Sequence, residues 1–258
     1  MGAWRSLRKH SWPSSAWTPD HGMGKRKLTN SGFLSDTSRF VRFLVLLVVG
    51  TVAVRVFAVQ AYQIPAASME DTLLVGDFLI GNKLAYGAKI PMTETRLPGY
   101  HSPENGEVVI FRFAHDPERE FIKRCVALPG QTVEIKDKVL YIDGQRTIDP
   151  ERSKYIDPRI LPKESTNGVR DNYGPVTVPP EHYFLVGDNR DNSDDSRFWG
   201  FVPRDLIVAR AGLIYFSWAP DPDAPTYKGA SSLPDIVLYN LTHFLDRVRW
   251  SRIAKSVN

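Results

Sequence analysis

An apolar run near the N-terminus restricts this chain more than any other feature. Residues 43–54 read Phe-Leu-Val-Leu-Leu-Val-Val-Gly-Thr-Val-Ala-Val, uncharged, between Arg42 and Arg55. That stretch alone is too short to cross a bilayer, whose core needs about 20 helical residues. Phe40, Val41 and Val56 to Val59 extend it to about that length, because arginines near the ends of a span can reach the headgroups. One transmembrane helix is expected over 40–59. The competing readings are a buried core helix and the apolar region of a cleaved signal peptide, for which Val59-Gln60-Ala61 offers a cut after Ala61. An arm of about 40 residues before the run is far longer than the usual n-region of a signal peptide and disfavours cleavage.

Charge is divided unevenly around this run. Residues 1–39 carry seven Lys/Arg and two acids, Asp20 and Asp36. Of the chain's 33 basic and 29 acidic residues this leaves 26 and 27 for the remainder, so the body is nearly neutral. The basicity belongs to the arm, which argues against a nucleic-acid-binding face on the folded part. By the positive-inside rule, 1–39 are expected in the cytoplasm and 60–258 across the membrane. The single cysteine, Cys125, excludes an intramolecular disulfide and any multi-cysteine metal site. With 42% apolar and 24% charged residues, the 258-residue chain has the composition of a packed protein.

The body reads as mainly β, an antiparallel sheet domain over about 60–220. Glu107–Phe113, Thr132–Ile135, Val139–Ile142 and Tyr183–Val186 are short, β-branched or aromatic runs bounded by turn residues. Lys136-Asp137-Lys138 and Asp143-Gly144 read as hairpin turns, and the proline- and charge-rich stretch 145–180 as a peripheral insertion. Residues 235–250 place apolar side chains at helical spacing, so a short amphipathic helix is expected within the C-terminal segment 221–258.

Three segments could carry chemistry. In Tyr62-Gln-Ile-Pro-Ala-Ala-Ser68-Met69-Glu-Asp-Thr-Leu-Leu-Val-Gly-Asp77, Ser68 could be a nucleophile if a base lay beside it. On spacing alone, Ser68 with Asp71 reads better as a helix capping box. In Phe121-Ile-Lys123-Arg124-Cys-Val-Ala-Leu-Pro-Gly130, Lys123 becomes a base only if its ammonium is desolvated, which lowers its pKa from about 10.4. On a strand Lys123 and Arg124 face opposite ways, so one could be buried while the other pairs with a carboxylate outside; two solvated cations are the bland alternative. The third, Gly187–Gly200, is dense in acids, but its spacing fails as an EF-hand for want of the glycine and the final glutamate. It is either a turn-rich surface loop or one whose hydroxyls and carboxylate–arginine pairs fix a neighbouring site. The six histidines are scattered without metal-like spacing.

Taken in this order behind one membrane anchor, Ser-Met-x-x-Thr-Leu, Lys-Arg-x-x-x-Leu-Pro-Gly and Gly-Asp-Asn-Arg-Asp-Asn-Ser-x-Asp-Ser-Arg resemble the motifs of bacterial type I signal peptidases, the leader peptidase family. The resemblance spans roughly residues 40–218. It implies a serine endopeptidase that removes signal peptides from exported preproteins, with Ser68 as nucleophile and Lys123 as general base. It implies that Ser193 hydrogen-bonds and orients the lysine, and that Asp195 and Arg197 pair to hold their loop. The Ser68 N–H would meet the oxyanion, with Ala66 standing where well-studied members have a second, hydroxyl donor. Pocket walls suited to small side chains at the first and third positions before the cut fall on Tyr62, Ile64, Pro65, Ala66, Met69, Leu73, Leu79, Phe121 and Ile122. Asp71, Cys125 and Ala127 depart from the family's usual residues without removing a reacting group.

The expected setting is the bacterial cytoplasmic membrane, crossed once, with the catalytic domain on the far face. Preproteins and the lipid bilayer are the expected partners, with no nucleic acid, no metal and no organic cofactor, and the chain is taken to act as a monomer. Tyr215, Phe216 and Trp218 either dip into the interface or pack in the β core. Two rivals differ in class: a self-cleaving Ser/Lys repressor, which would need a helix-turn-helix domain and no span, and a tethered β binding module without chemistry.

Overall fold

The computed structural model describes residues 31–93 and 95–257, so most of the expected 1–39 arm lies outside the described residues. Helix α1 runs Ser31–Phe57, and its stretch Thr37–Phe57 is long and apolar enough to cross a membrane, with none of it buried by protein. The helix thus starts before the apolar window of 40–59, since its hydrogen-bond ladder does not depend on side-chain polarity. It stops short of the window's end because Val59 opens a strand and pairs with Asn82. The chain divides within α1 into a unit ending at Leu47 and a second, from Val48, that holds the sheets.

That second unit is built on antiparallel strands: β1 Val59–Gln63, β2 Asp77–Asn82, β3 Val108–Phe113, β4 Asp116–Ala127, β5 Thr132–Lys136, β6 Val139–Ile142, β7 Gln145–Arg146, β8 Tyr173–Thr177, β9 His182–Val186, β10 Val202–Pro203 and β11 Ile207–Ser217. Seven form one sheet in the order β1-β2-β11-β3-β4-β9-β10, and four a smaller one, β7-β6-β5-β8. Strand β3 is apolar at successive positions because both faces are covered. Val108 and Ile110 join a core with Leu79, Ile214 and Met69, while Val109 and Phe111 join another with Cys125, Leu185 and Ile207.

The smaller sheet begins before the expected insertion at 145–180. Hairpin β5–β6 belongs to it because Val133, Ile135, Leu140 and Ile142 bury against Val126, Phe184 and Val186. Both expected turns are present as two-residue loops. Asp137 and Lys138 lie at φ 48° and 70°, and Asp143 and Gly144 at φ 53° and 75°, the left-handed pairs that match strand twist in tight hairpins.

Instead of one C-terminal helix over 235–250 there are two, α2 Leu233–Thr242 and α3 Phe244–Arg247, broken at His243. Beyond them Arg252 reaches back to Asp77 at 2.6 Å and to the Thr72 carbonyl at 2.9 Å. Burial would raise the Asp77 pKa, but bonds from Arg252, Ser217 and the Leu74 N–H outweigh it and hold the carboxyl below its ordinary value. The C-terminal segment is thereby tied to the chain that follows Ser68. Tyr215, Phe216 and Trp218 lie outside the β core: Tyr215 meets Phe78 edge to face, Phe216 packs at a tilt on Phe78, and Trp218 stacks on Phe216 and packs at a tilt on Phe244.

Candidate active site

Ser68 sits in a single 3-10 turn, Ala67–Met69, after the extended Ala66. No α-helix follows, since Asp71 takes φ 74°, a left-handed conformation that aspartate tolerates and proline cannot adopt. The capping-box reading therefore fails, and the Ser68 hydroxyl meets a different group. Lys123 Nζ, on β4, lies 2.6 Å from Ser68 Oγ.

Several contacts fix the serine. Met69 and Leu73 anchor the turn in the core at 2% and 0% exposure. Asn189 donates its N–H to the Ser68 carbonyl at 3.0 Å and its side-chain amide to the Ala67 carbonyl at 3.2 Å. A Cβ at Gly187 would collide with the Ser68 carbonyl and Ser193 Oγ, so only glycine lets the two segments approach so closely. The Ser68 N–H is not used by the turn's own bonds, which run from Glu70 N to Ala67 O and from Leu73 N to Met69 O.

Lys123 is 2% exposed. Burial pushes its pKa down to about 8, against the opposing charges of Asp195, Asp194 and Asp188 and with a smaller lowering from Arg197. Burial wins because the nearest carboxylates are committed elsewhere. Asp195 takes both arms of Arg197, at 2.7 Å each, and also the Gly187 N–H. Asp188 takes both arms of Arg124, again at 2.7 Å each, and the Thr72 hydroxyl at 2.6 Å. An amine near neutral pKa in contact with a hydroxyl can accept that hydroxyl's proton as it attacks an electrophile.

The expectation that one of Lys123 and Arg124 would be buried while the other pairs with a carboxylate outside is overturned by Arg124, since both are buried. Arg124 is 3% exposed, and the Gly187–Gly200 loop supplies its carboxylate inside the protein. The same loop has Asp188, Asn189, Arg190, Ser193, Asp195, Ser196 and Arg197 buried, so it is no surface loop. Asp195 and Arg197 pair as expected. Ser193 lies across Gly187 from the Ser68 carbonyl, but its buried hydroxyl has no hydrogen-bond partner among the described residues, so the expected bond to Lys123 is not made.

A cavity of about 650 Å³ lies elsewhere, beside the end of α1, whereas the cleft at Ser68 encloses about 330 Å³. Tyr62, Ile64, Pro65, Ala66, Met69, Leu73, Phe121 and Ile122 line that cleft as expected. Leu79 does not; it is fully buried behind the wall, paired across the strands with Tyr62. Gln63, Arg119 and Glu120 also line it. Strand alternation around Phe121 and Ile64 could have suggested them as neighbours, but not which way they turn. His101, Glu104 and Glu107 approach one another elsewhere, yet Glu107 already accepts from Tyr86 and pairs with Arg210 at 2.9 Å. That cluster reads as an ion-pair network.

The family described as signal peptidase, peptidase S26, matches residues 37–218. Signal peptidase I of Pseudomonas aeruginosa is 35% identical over 228 residues, covering 78% of this chain and 77% of its own. Signal peptidase I of Aquifex aeolicus is 31% identical over 260 residues, covering 82% and 95%. A solved signal peptidase I from Enterococcus faecalis matches 42% of this chain and 96% of its own at 28% identity, with a TM-score of 0.35. The chain belongs to the signal peptidase family, peptidase S26, and is a peptidase of that class.

Proposed function

We propose that this chain is a membrane-anchored endopeptidase that removes signal peptides from exported preproteins, with Ser68 as nucleophile and Lys123 as general base. The observation that carries the reading is the 2.6 Å contact between Lys123 Nζ and Ser68 Oγ, made by an amine whose pKa is pushed down to about 8. Neutral Lys123 takes the Ser68 proton as Oγ bonds to the scissile carbonyl carbon. The Ser68 N–H meets the developing oxyanion. Collapse breaks the C–N bond, and the leaving amine takes the proton from Lys123. Lys123, neutral again, then takes a proton from the water that attacks the acyl carbon, and returns it to Ser68 Oγ as the acyl group leaves.

The cleft supports substrates with small side chains at the first and third positions before the cut, because its walls are bulky and apolar and its volume is limited. Strand β1 is first in its sheet, so its outer edge is open to an extended peptide. Orientation follows from charge: the basic arm stays in the cytoplasm, and the domain from about residue 60 works on the far face of the bacterial cytoplasmic membrane.

The test is cleavage of a preprotein bearing an Ala-x-Ala site by the detergent-solubilised chain, read by product mass. Cutting after the second alanine supports the reading, and an intact preprotein with folded enzyme overturns it. The same assay carries a pH prediction. The base must be neutral, so kcat/KM is expected to rise with pH through about 8 and level above it. Well below that value it falls about tenfold per unit. A profile already level at pH 6 would remove Lys123 from the role of base.

A further inference from the structure

Helix α2 is built the wrong way round for a domain surrounded by water. A surface helix ordinarily turns its apolar stripe to the core and its polar side chains outward. At about 100° per residue, Leu233, Pro234, Val237, Leu238 and Leu241 share an arc of about 140°. That arc is the exposed one, from 47% at Leu233 to 69% at Leu241, and Leu245 on α3 continues it. The side opposite bears Tyr239 and Asn240, both half-buried, and these bond inward. The Tyr239 hydroxyl donates to Asp221 at 2.8 Å, and Arg247 donates to Asn240 Oδ1 at 2.7 Å. Asp235, the one ionised residue of α2, lies off the arc. Polar contacts thus fasten the helix to the domain and leave an uncharged apolar face outward, the mark of a surface that meets something apolar.

The chain already meets one apolar medium, since Thr37–Phe57 is long and apolar enough to cross a membrane and none of it is buried by protein. From Phe57 to Gln63, the last residue of β1, is at most about 20 Å of extended chain. Gln63 pairs with Phe78 and Phe78 with Phe216, two residues before Trp218, on which Phe244 packs. The strand that leaves the span therefore ends at the same end of the sheet as the junction of α2 and α3. Trp250, exposed and edge to face with Phe244, adds an indole beside the leucines, the composition of a bilayer interface. Charge is not what draws this face to lipid. Arg247 lies over the Trp218 ring at 4.5 Å, and Arg249 pairs with Asp77 at 3.4 Å. An attraction set by apolar area needs no anionic headgroup.

We infer that α2 lies in the interface of the bilayer that holds α1, its leucine face among the acyl chains, and that this second contact sets the height of the Ser68 cleft. Arg252 makes the link: it follows α3 and holds Asp77 and the Thr72 carbonyl, in the chain just after Ser68. The inference rests on the membrane-anchored reading of α1 and not on the peptidase chemistry. To test it, the full chain is placed in phosphatidylcholine nanodiscs, one copy each, with a fluorophore on Leu241→Cys or, as control, on Ile148→Cys, an exposed position beyond β7. Cys125 is fully buried and stays unlabelled. Lipids with a nitroxide near the headgroup end of the acyl chain are expected to quench the probe at 241 and not at 148, with aqueous iodide doing the reverse, as for a face about 5–10 Å deep. Val237→Asp/Leu238→Asp is expected to abolish the lipid quenching at 241 and to lower cleavage of a preprotein held in the same disc. Cleavage of a soluble peptide in detergent should stay at the wild-type level, which shows that the variant folds. Iodide quenching at 241 without the two aspartates would overturn the site. Protection from both quenchers would mean that protein covers the face, and would overturn the lipid as its occupant. Unchanged preprotein cleavage by the variant would overturn the effect on cleft height. A chain that does not enter the discs would sink the anchored reading and the inference with it. One that enters, is quenched as expected and cuts nothing would sink the peptidase reading alone and leave the lipid contact standing.

Discussion

Lys123→Met is expected to lower cleavage by about a thousandfold or more while leaving the chain at least as stable at pH 7 as the wild type. The loss of rate is that of a positioned general base, which contributes roughly 10²- to 10⁴-fold. The stability follows from the sign of the pKa shift. Burial brings Lys123 from 10.5 down to about 8, so between those values the unfolded chain binds more protons than the folded one. Stability therefore rises with pH through that window, and below it the folded state bears the full penalty of a buried ammonium. The shift corresponds to about 3 kcal/mol, which methionine removes while keeping the apolar stem. Lys123→Arg separates charge from basicity: a guanidinium stays protonated at any working pH, so this variant is expected to be as inactive as Lys123→Met. Ser68→Ala should match them, and the double variant Ser68→Ala/Lys123→Met should fall no further, since the two groups act as one unit. Product-mass kinetics and urea unfolding check both halves. Cleavage by Lys123→Met within tenfold of wild type would remove the lysine from the mechanism.

Legibility in the sequence tracked how locally each feature is determined. Strands β3, β5, β6 and β9 are short β-branched or aromatic runs closed by turn residues, and they were readable as such. Strand β1 was hidden because Val59 continues the apolar run of α1, and β2 because Asp77, Gly81 and Asn82 look like turn residues while serving as an ion-pair partner, a close approach to the Tyr62 ring and a cap. Strand β11 is interrupted by Gly212, which lies against the Ile80 carbonyl. The Ser68–Lys123 contact was not legible from spacing, because the two residues meet across 55 positions, and only the order of three motifs pointed to them. The pair Arg124–Asp188, separated by 64 residues, and Arg252–Asp77, by 175, were invisible for the same reason. A charged residue in a sequence reads as solvated until the chain that buries it is known.

Arg124→Gln is expected to destabilise the protein by about 3–5 kcal/mol, the usual loss when one partner of a buried ion pair is removed. Asp188 is fully buried, and without Arg124 it keeps, among the described residues, only the Thr72 hydroxyl as a side-chain donor. The uncompensated carboxylate also acts on the site. Asp188 already pulls the Lys123 pKa upward, and at present the Arg124 fork holds its charge. Freed from that fork, the carboxylate stabilises the Lys123 ammonium more strongly, so the rising limb of kcat/KM should move above pH 8 toward the ordinary lysine value. Thr72 and Asn189 hang the serine turn on the same loop, so kcat should also fall in the fraction that stays folded. Replacing both partners, Arg124→Leu/Asp188→Leu, removes the unpaired charge and is expected to recover much of the stability without recovering the rate. Urea unfolding and the pH dependence of peptide cleavage separate these effects. A stability loss below about 1 kcal/mol, or a rising limb that stays in place, would mean that the arginine does not shield the lysine from that carboxylate.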